Sequence, residues 1–204
     1  APAPVLHCAR PVGARSERIG SLETMSERSR DLPRRSCLSV PGSSEKMLGK
    51  APTLGADMVF LDLEDSVAPL EKESARDNVV KAINDSDWGD SVLCVRVNAW
   101  DTKWTYRDVI HIVENSSERL DELMLPKVQS AAEVIALDML LTQIEETMGR
   151  ESTVGIEAQI ETTLGLINVD AIATASPRVE TIIFGPADFM ASINMKSLVV
   201  GEQP

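Results

Sequence analysis

Strand-length apolar runs that alternate with amphipathic helical stretches, and polar residues gathered just where those runs end, predict an α/β fold. The version favoured is a TIM (β/α)8 barrel, truncated after about six of its eight units. Strand and helix alternate at roughly 30 residues per unit, as in parallel βα repeats. The runs are almost continuously apolar, as strands covered on both faces must be. The polar residues at their carboxyl ends are Asp62, Glu64 and Asp65, then Arg96 and Asn98, then Lys127, Glu161 and Asp188. Barrels assemble their active sites at those ends. An open doubly wound sheet fits the alternation too, but no GxGxxG follows the first run, which weakens its dinucleotide-binding form.

The elements follow in order. Residues 1–34 are rich in Arg, Ser, Pro and Glu, have no hydrophobic period, and read as a disordered or extraneous extension. Glu17, Glu23, Glu27 and Asp31 are too many acids for a transit peptide. The catalytic domain is expected over 35–204. Strand runs fall at 36–40, 57–63, 92–97, 122–126, 153–160 and 180–185. The first helix follows Ser43 and Ser44, with Met47, Leu48 and Ala51 on one face and Gly55 as its stop. The second starts near Glu71 and carries Ala75, Val79, Val80 and Ile83; the third carries Tyr106, Val109, Ile110 and Val113. The fourth opens on Ser130 and Glu133, a capping-box spacing, and continues through Ile135, Leu140, Leu141 and Ile144. A fifth follows Thr162, with Leu166, Val169 and Ile172. A closed barrel needs eight strands and usually ~250 residues. This chain of 204 ends in what reads as a loop, so the barrel is expected to be incomplete.

Composition narrows the function. With a net charge of −12, no basic stripe and only 3% aromatic residues, nucleic acid is not an expected partner. Local Arg and Lys residues can still recruit an anionic small molecule. No run approaches the ~20 apolar residues that span a membrane. Cys8, Cys37 and Cys94 are odd in number and lack CxxC spacing, which argues against a disulfide framework or a thiolate zinc site. Cys37 and Cys94 read as small buried thiols in a reducing, cytoplasmic setting. His7 and His111 are the only histidines, too few for a histidine metal site or a Ser-His-Asp triad. His111, mid-helix, reads as packing or interface.

The chemistry rests on two runs, 153–162 and 182–189. Each is apolar and ends in a carboxylate, Glu161 in the first and Asp188 in the second. Carboxylates at neighbouring strand ends can converge on a hard divalent cation such as Mg²⁺, which prefers oxygen and keeps positions for water or substrate. Glu157 extends that acidic rim if its strand keeps period two. Each residue also has a plainer role open to it. Arg96 can pair with Glu64 or Asp65, and Asp62, Glu64 and Asp65 can support ligands without touching metal. Trp100, Trp104 and Tyr106 read as loop and helix packing.

ArgSerCysLeuSerValProGly (35–42), LeuAspLeuGluAspSerValAlaPro (61–69), ValArgValAsn (95–98), LeuProLysVal (125–128), the Glu161-Thr162 strand end and GlyProAlaAsp (185–188) occur in that order. Together they resemble the citrate lyase β-subunit/HpcH-HpaI aldolase superfamily. Residues 98–109, 175–178 and 190–196 look like its L-malyl-CoA/β-methylmalyl-CoA lyase branch. The resemblance implies a Mg²⁺-dependent carbon-carbon lyase that reversibly splits such an acyl-CoA into glyoxylate and acetyl-CoA or propionyl-CoA. It further implies a homo-oligomer, trimeric or hexameric. Residue by residue, Glu161 and Asp188 match the metal ligands and Arg96 the arginine at the substrate's reacting end. Lys50 matches a basic residue on CoA phosphate, and Ala187 with Asp188 the stretch that touches the keto acid. Ser44 stands where relatives carry an arginine for CoA. The segment that supplies an acid/base aspartate in relatives has no counterpart here. Three alternatives accompany this reading: a citrate or citramalyl-CoA lyase β-type subunit, a malyl-CoA thioesterase, and an inactive truncated relative acting as an interaction protein.

Overall fold

Strands rich in valine, isoleucine and leucine must be covered on both faces, and the chain achieves this by placing a helical crossover after each strand. The computed structural model describes residues 29 and 31–196. The strands are β1 (Cys37–Pro41), β2 (Met58–Asp62), β3 (Val92–Arg96), β4 (Glu122–Leu125), β5 (Gly155–Ile160) and β6 (Val179–Phe184). They form one sheet in sequence order, each parallel to the next. The helices are α1 (Glu45–Lys50), α2 (Lys72–Asp85), α3 (Thr105–Asn115), α4 (Ala131–Met148), α5 (Thr163–Ile167), α6 (Val169–Ala173) and α7 (Pro186–Ser192). This is the TIM-type α/β architecture, through six βα units.

Side chains alternate along each strand with period two, and the two faces differ. Val59, Leu61, Leu93, Val95, Leu123, Leu125, Ile156 and Ala158 join Ala75, Val79, Ile83, Val109, Ile112, Val134, Leu137 and Leu141 of the helices in the main core. Met58, Val92, Cys94 and Met124 form a smaller cluster on the opposite face, with Phe60, Ile183 and Leu32 against it. That inner face carries the chemistry. Gly42, after β1, sits where a Cβ would lie 2.9 Å from the Asp62 carbonyl and 2.9 Å from Val79 Cγ2, so the β1–α1 turn needs glycine. Gly55 takes the left-handed conformation (φ 67°) that closes the 3-10 turn Ala51–Leu54, as expected of a stop.

Three local expectations are corrected. The helix after Thr162 breaks in two at Asn168, whose Nδ2 donates to the Gln129 carbonyl at 2.8 Å. Leu166 is consequently exposed, and Ile172 carries the packing. The capping box at Ser130 is displaced: Glu133 Oε2 accepts from the Gln129 amide at 3.1 Å, and the Ser130 side chain makes no cap bond. Cys37 is exposed while Cys94 is buried, because β1 is the outer strand of the sheet among the described residues.

Of the extension expected over 1–34, residues 1–28 and 30, Cys8 and His7 among them, lie outside the described residues. Ser29 donates to Glu180 Oε2 at 2.7 Å. Arg34 reaches Glu122 Oε1 and Glu180 Oε2, each at 3.2 Å. No helix among the described residues is long and apolar enough to cross a membrane.

Candidate functional site

The rim at the carboxyl ends of the strands is built outward from Asp62, the last residue of β2 and fully buried. Arg96, the last residue of β3, grips it with both forks: Nε to Oδ1 and Nη2 to Oδ2, each at 2.7 Å. The Glu64 amide (2.8 Å) and the Ser66 amide and hydroxyl (3.1 and 2.5 Å) complete its shell. Burial alone would raise the Asp62 carboxyl; the Arg96 contact and the Ser66 bonds outweigh it and hold it below the ordinary range. Arg96 also lies 3.4 Å from Glu64 Oε2 through Nη1 and 5.3 Å over the Phe60 ring. Its principal partner is thus Asp62, which the sequence did not single out over Glu64 or Asp65.

Lys127, following β4, is the hub of the rim. Its backbone is left-handed (φ 55°), a conformation that costs a non-glycine residue about 1–2 kcal/mol. In that conformation its N–H donates to Glu161 Oε1 at 2.9 Å. Its ammonium bonds Glu64 Oε1 and stands 3.4 Å from Asp65 and 3.5 Å from Asp188. One residue therefore connects the ends of β2, β5 and β6.

Glu161 follows β5 and is 2% exposed. Its second oxygen accepts from Gln159 Nε2 at 2.8 Å. Burial, followed by repulsion from Asp188 and Glu64, pushes its carboxyl up to about 7. Gly185 makes room for it, since a Cβ there would lie 2.5 Å from Glu161 Oε2. Asp188 enters from the first turn of α7 with its side chain 39% exposed, and Ala187 beside it is exposed. The rim thus combines five carboxylates, one ammonium and one guanidinium. Glu64 Oε2 is buried with no hydrogen-bond partner. An all-oxygen donor set with surplus negative charge at Glu161 fits a hard divalent cation.

A second layer fixes the loops that carry these groups. The Lys72 ammonium donates to the Leu63 and Glu64 carbonyls and to Asn98 Oδ1, all at 2.7 Å. Asn98 Nδ2 donates to Asp108 Oδ2 at 2.6 Å, and Arg76 Nε to Asp108 Oδ1 at 2.7 Å. Sequence reasoning missed Lys72, Arg76 and Asp108. The signal existed, because Lys72 and Arg76 share a helical face with Ala75 and Val79, all buried.

Other expected residues fall elsewhere. Glu157 does not extend the rim: four residues before Glu161 on a strand is about 13 Å away, and its ligand oxygen groups with Cys94 and Glu122 instead. Lys50 ends α1 and is exposed. Ser44 caps α1, accepting from the Met47 amide at 3.4 Å. His111 pairs with Asp77 at 3.0 Å, and Trp100 Nε1 donates to the Glu133 carbonyl.

Comparison with known proteins matches the chain to a family. Residues 35–202 match the family described as HpcH/HpaI aldolase/citrate lyase. The L-malyl-CoA/beta-methylmalyl-CoA lyase of Cereibacter sphaeroides is 46% identical over 169 residues, covering 83% of this chain and 53% of that protein. The malyl-CoA/beta-methylmalyl-CoA/citramalyl-CoA lyase of Chloroflexus aurantiacus is 34% identical over 163 residues, covering 79% and 47%. This chain thus spans about half the length of the curated relatives it matches. Among solved structures, the citrate lyase beta subunit from M. tuberculosis complexed with oxaloacetate and magnesium superposes with a TM-score of 0.64 at 28% identity, covering 83% of this chain and 66% of that one. The matched span, with the strand order, places the chain in the HpcH/HpaI aldolase/citrate lyase family.

Proposed function

We propose that the protein acts as a Mg²⁺-dependent lyase that reversibly cleaves L-malyl-CoA or β-methylmalyl-CoA to glyoxylate and acetyl-CoA or propionyl-CoA. The observation that carries this reading is the convergence of Glu161, Asp188 and Arg96 on one rim, in a chain 46% identical over 169 residues to a lyase of that name.

Breaking the C–C bond leaves an enolate on the thioester, and fixed charge aimed at that oxygen is the largest aid available. Mg²⁺ held by Glu161 and Asp188 would supply positive charge to the carboxylate and carbonyl of glyoxylate. The remaining work belongs to the chain's own side chains. Lys127 N–H and Gln159 Nε2 hold one oxygen of Glu161 each, which fixes the carboxylate's orientation. Asp62 locks Arg96 along its Nε–Nη2 edge and directs its planar charge at the enolate oxygen. A lysine ammonium could not be aimed in this way. Ala187 and Asp188 contact the keto acid, and Lys50 meets a CoA phosphate. The active assembly is a homo-oligomer.

The test is direct. Purified protein given L-malyl-CoA and Mg²⁺ releases glyoxylate, measured as its phenylhydrazone. Release of free malate instead would favour a thioesterase, and turnover unchanged by chelation would remove the cation from the site.

A further inference from the structure

The opposite end of the strands holds a second cluster that the proposed reaction does not use. Cys94 of β3, Glu122 of β4 and Glu157 of β5 each direct one ligand atom to a common point, and these atoms all lie within 4.8 Å of one another. Cys94 and Glu122 are register partners, and Glu157 pairs with Met124 two residues on. Their exposures are 0%, 0% and 2%.

Arg34 is shared between Glu122 Oε1 and Glu180 Oε2. Glu122 Oε2 and Glu157 Oε2, both buried, have no hydrogen-bond partner. Leaving such oxygens bare in a dry interior is among the costliest arrangements a fold can hold. The Cys94 thiol supplies the third corner. Without a cation, burial and then Glu157 push Glu122 up to about 8, and burial pushes the Cys94 thiol well above its ordinary value.

We propose that this floor is a second metal site, in which Cys94, Glu122 and Glu157 bind a divalent transition ion of the zinc class. A thiolate with two carboxylates suits that ion, whereas Mg²⁺ avoids sulfur. Ligand bonds of about 2.0–2.3 Å require donors roughly 3.3–3.7 Å apart, a contraction that rotamer adjustment of two glutamates can supply. On binding, the Cys94 thiol and any protonated carboxyl release their protons to solvent, and no oxidation state changes. Glu157 and Glu161 stand about 13 Å apart along β5, so floor and rim are separate sites. The inference does not rest on the lyase reading.

The experiment strips the full chain with chelator, fills the rim with excess Mg²⁺ and titrates Co²⁺ as a spectroscopic stand-in for Zn²⁺. One equivalent should give a thiolate-to-cobalt charge-transfer band that Zn²⁺ abolishes, and Zn²⁺ should raise the melting temperature. Cys94→Ser should lose the band. Glu157→Gln, which keeps the shape of the side chain, should weaken Co²⁺ binding at least about tenfold. No band in the unaltered protein would overturn the proposal and leave two carboxyls sharing a proton. A band that persists in Cys94→Ser would overturn it as well, by assigning the ion to Cys37 or Cys8.

Discussion

Rim and floor of the same sheet are both acidic, and they handle their charge differently. At the rim Asp62 has Arg96, and Glu64, Asp65 and Asp188 share Lys127. At the floor Arg34 bridges Glu122 and Glu180, and Glu157 has no ion pair among the described residues. Rim charges are paired in positions that leave Asp188 half open to solvent, whereas floor charges are enclosed. Burial and repulsion from Glu157 push Glu122 up to about 8 despite its contact with Arg34, while the two-bond grip of Arg96 holds the equally buried Asp62 low. Accessible, oriented charge suits turnover, and sealed charge suits a permanently held ion.

The contrast can be broken at several points, the largest effect first. Glu161→Ala or Asp188→Ala should lower Mg²⁺-dependent glyoxylate release by about a thousandfold or more, with circular dichroism unchanged. Normal turnover in both would remove the rim's metal assignment. Arg96→Lys should lower kcat by about a hundredfold, since an ammonium cannot grip Asp62 along two bonds and still face substrate.

Asp108→Ala tests the layer beneath the rim. It leaves Arg76 and Asn98 buried without their partner and should destabilise the fold by about 3–5 kcal/mol in urea titration. A loss near zero would mean that the loops are held some other way. Acid titration sharpens the comparison further. The folded Asp62 carboxyl lies below its unfolded value, so its stabilisation is present above about pH 4 and is lost as pH falls through the folded value. Asp62→Asn should therefore unfold with a shallower dependence on acid than the unaltered protein. The smallest effect expected is that of Lys50→Ala, a roughly two- to fivefold rise in KM for the CoA ester at constant kcat, the size of one exposed ion pair.

Much of this architecture was legible in the residues. The strand runs were placed to within a residue or two, because continuous apolar stretches bounded by turns permit few alternatives. Glu161, Asp188 and Arg96 announced themselves as polar residues at strand ends, and the structure brings them to one rim. The rest required three dimensions. Period two assigns Glu157 to a face but says nothing of its height, so the residue expected at the rim lies on the floor. Lys127 gave no sign of a left-handed backbone, and its role as hub follows from that one torsion. Gln159 looked like an ordinary strand residue until its amide proved to hold Glu161. The break at Asn168 depends on a carbonyl 39 residues away, beyond the reach of any local pattern.

Arg34 precedes the first strand, yet its partners lie 88 and 146 residues further along the chain. Contacts of such span are the slow ones to form. A nascent chain leaving the ribosome cannot complete both contacts of this guanidinium until β6 has emerged, so a bolt made early is fastened late. Until then the acidic underside of the sheet stands unlatched, a window in which a chaperone or a passing ion could reach it.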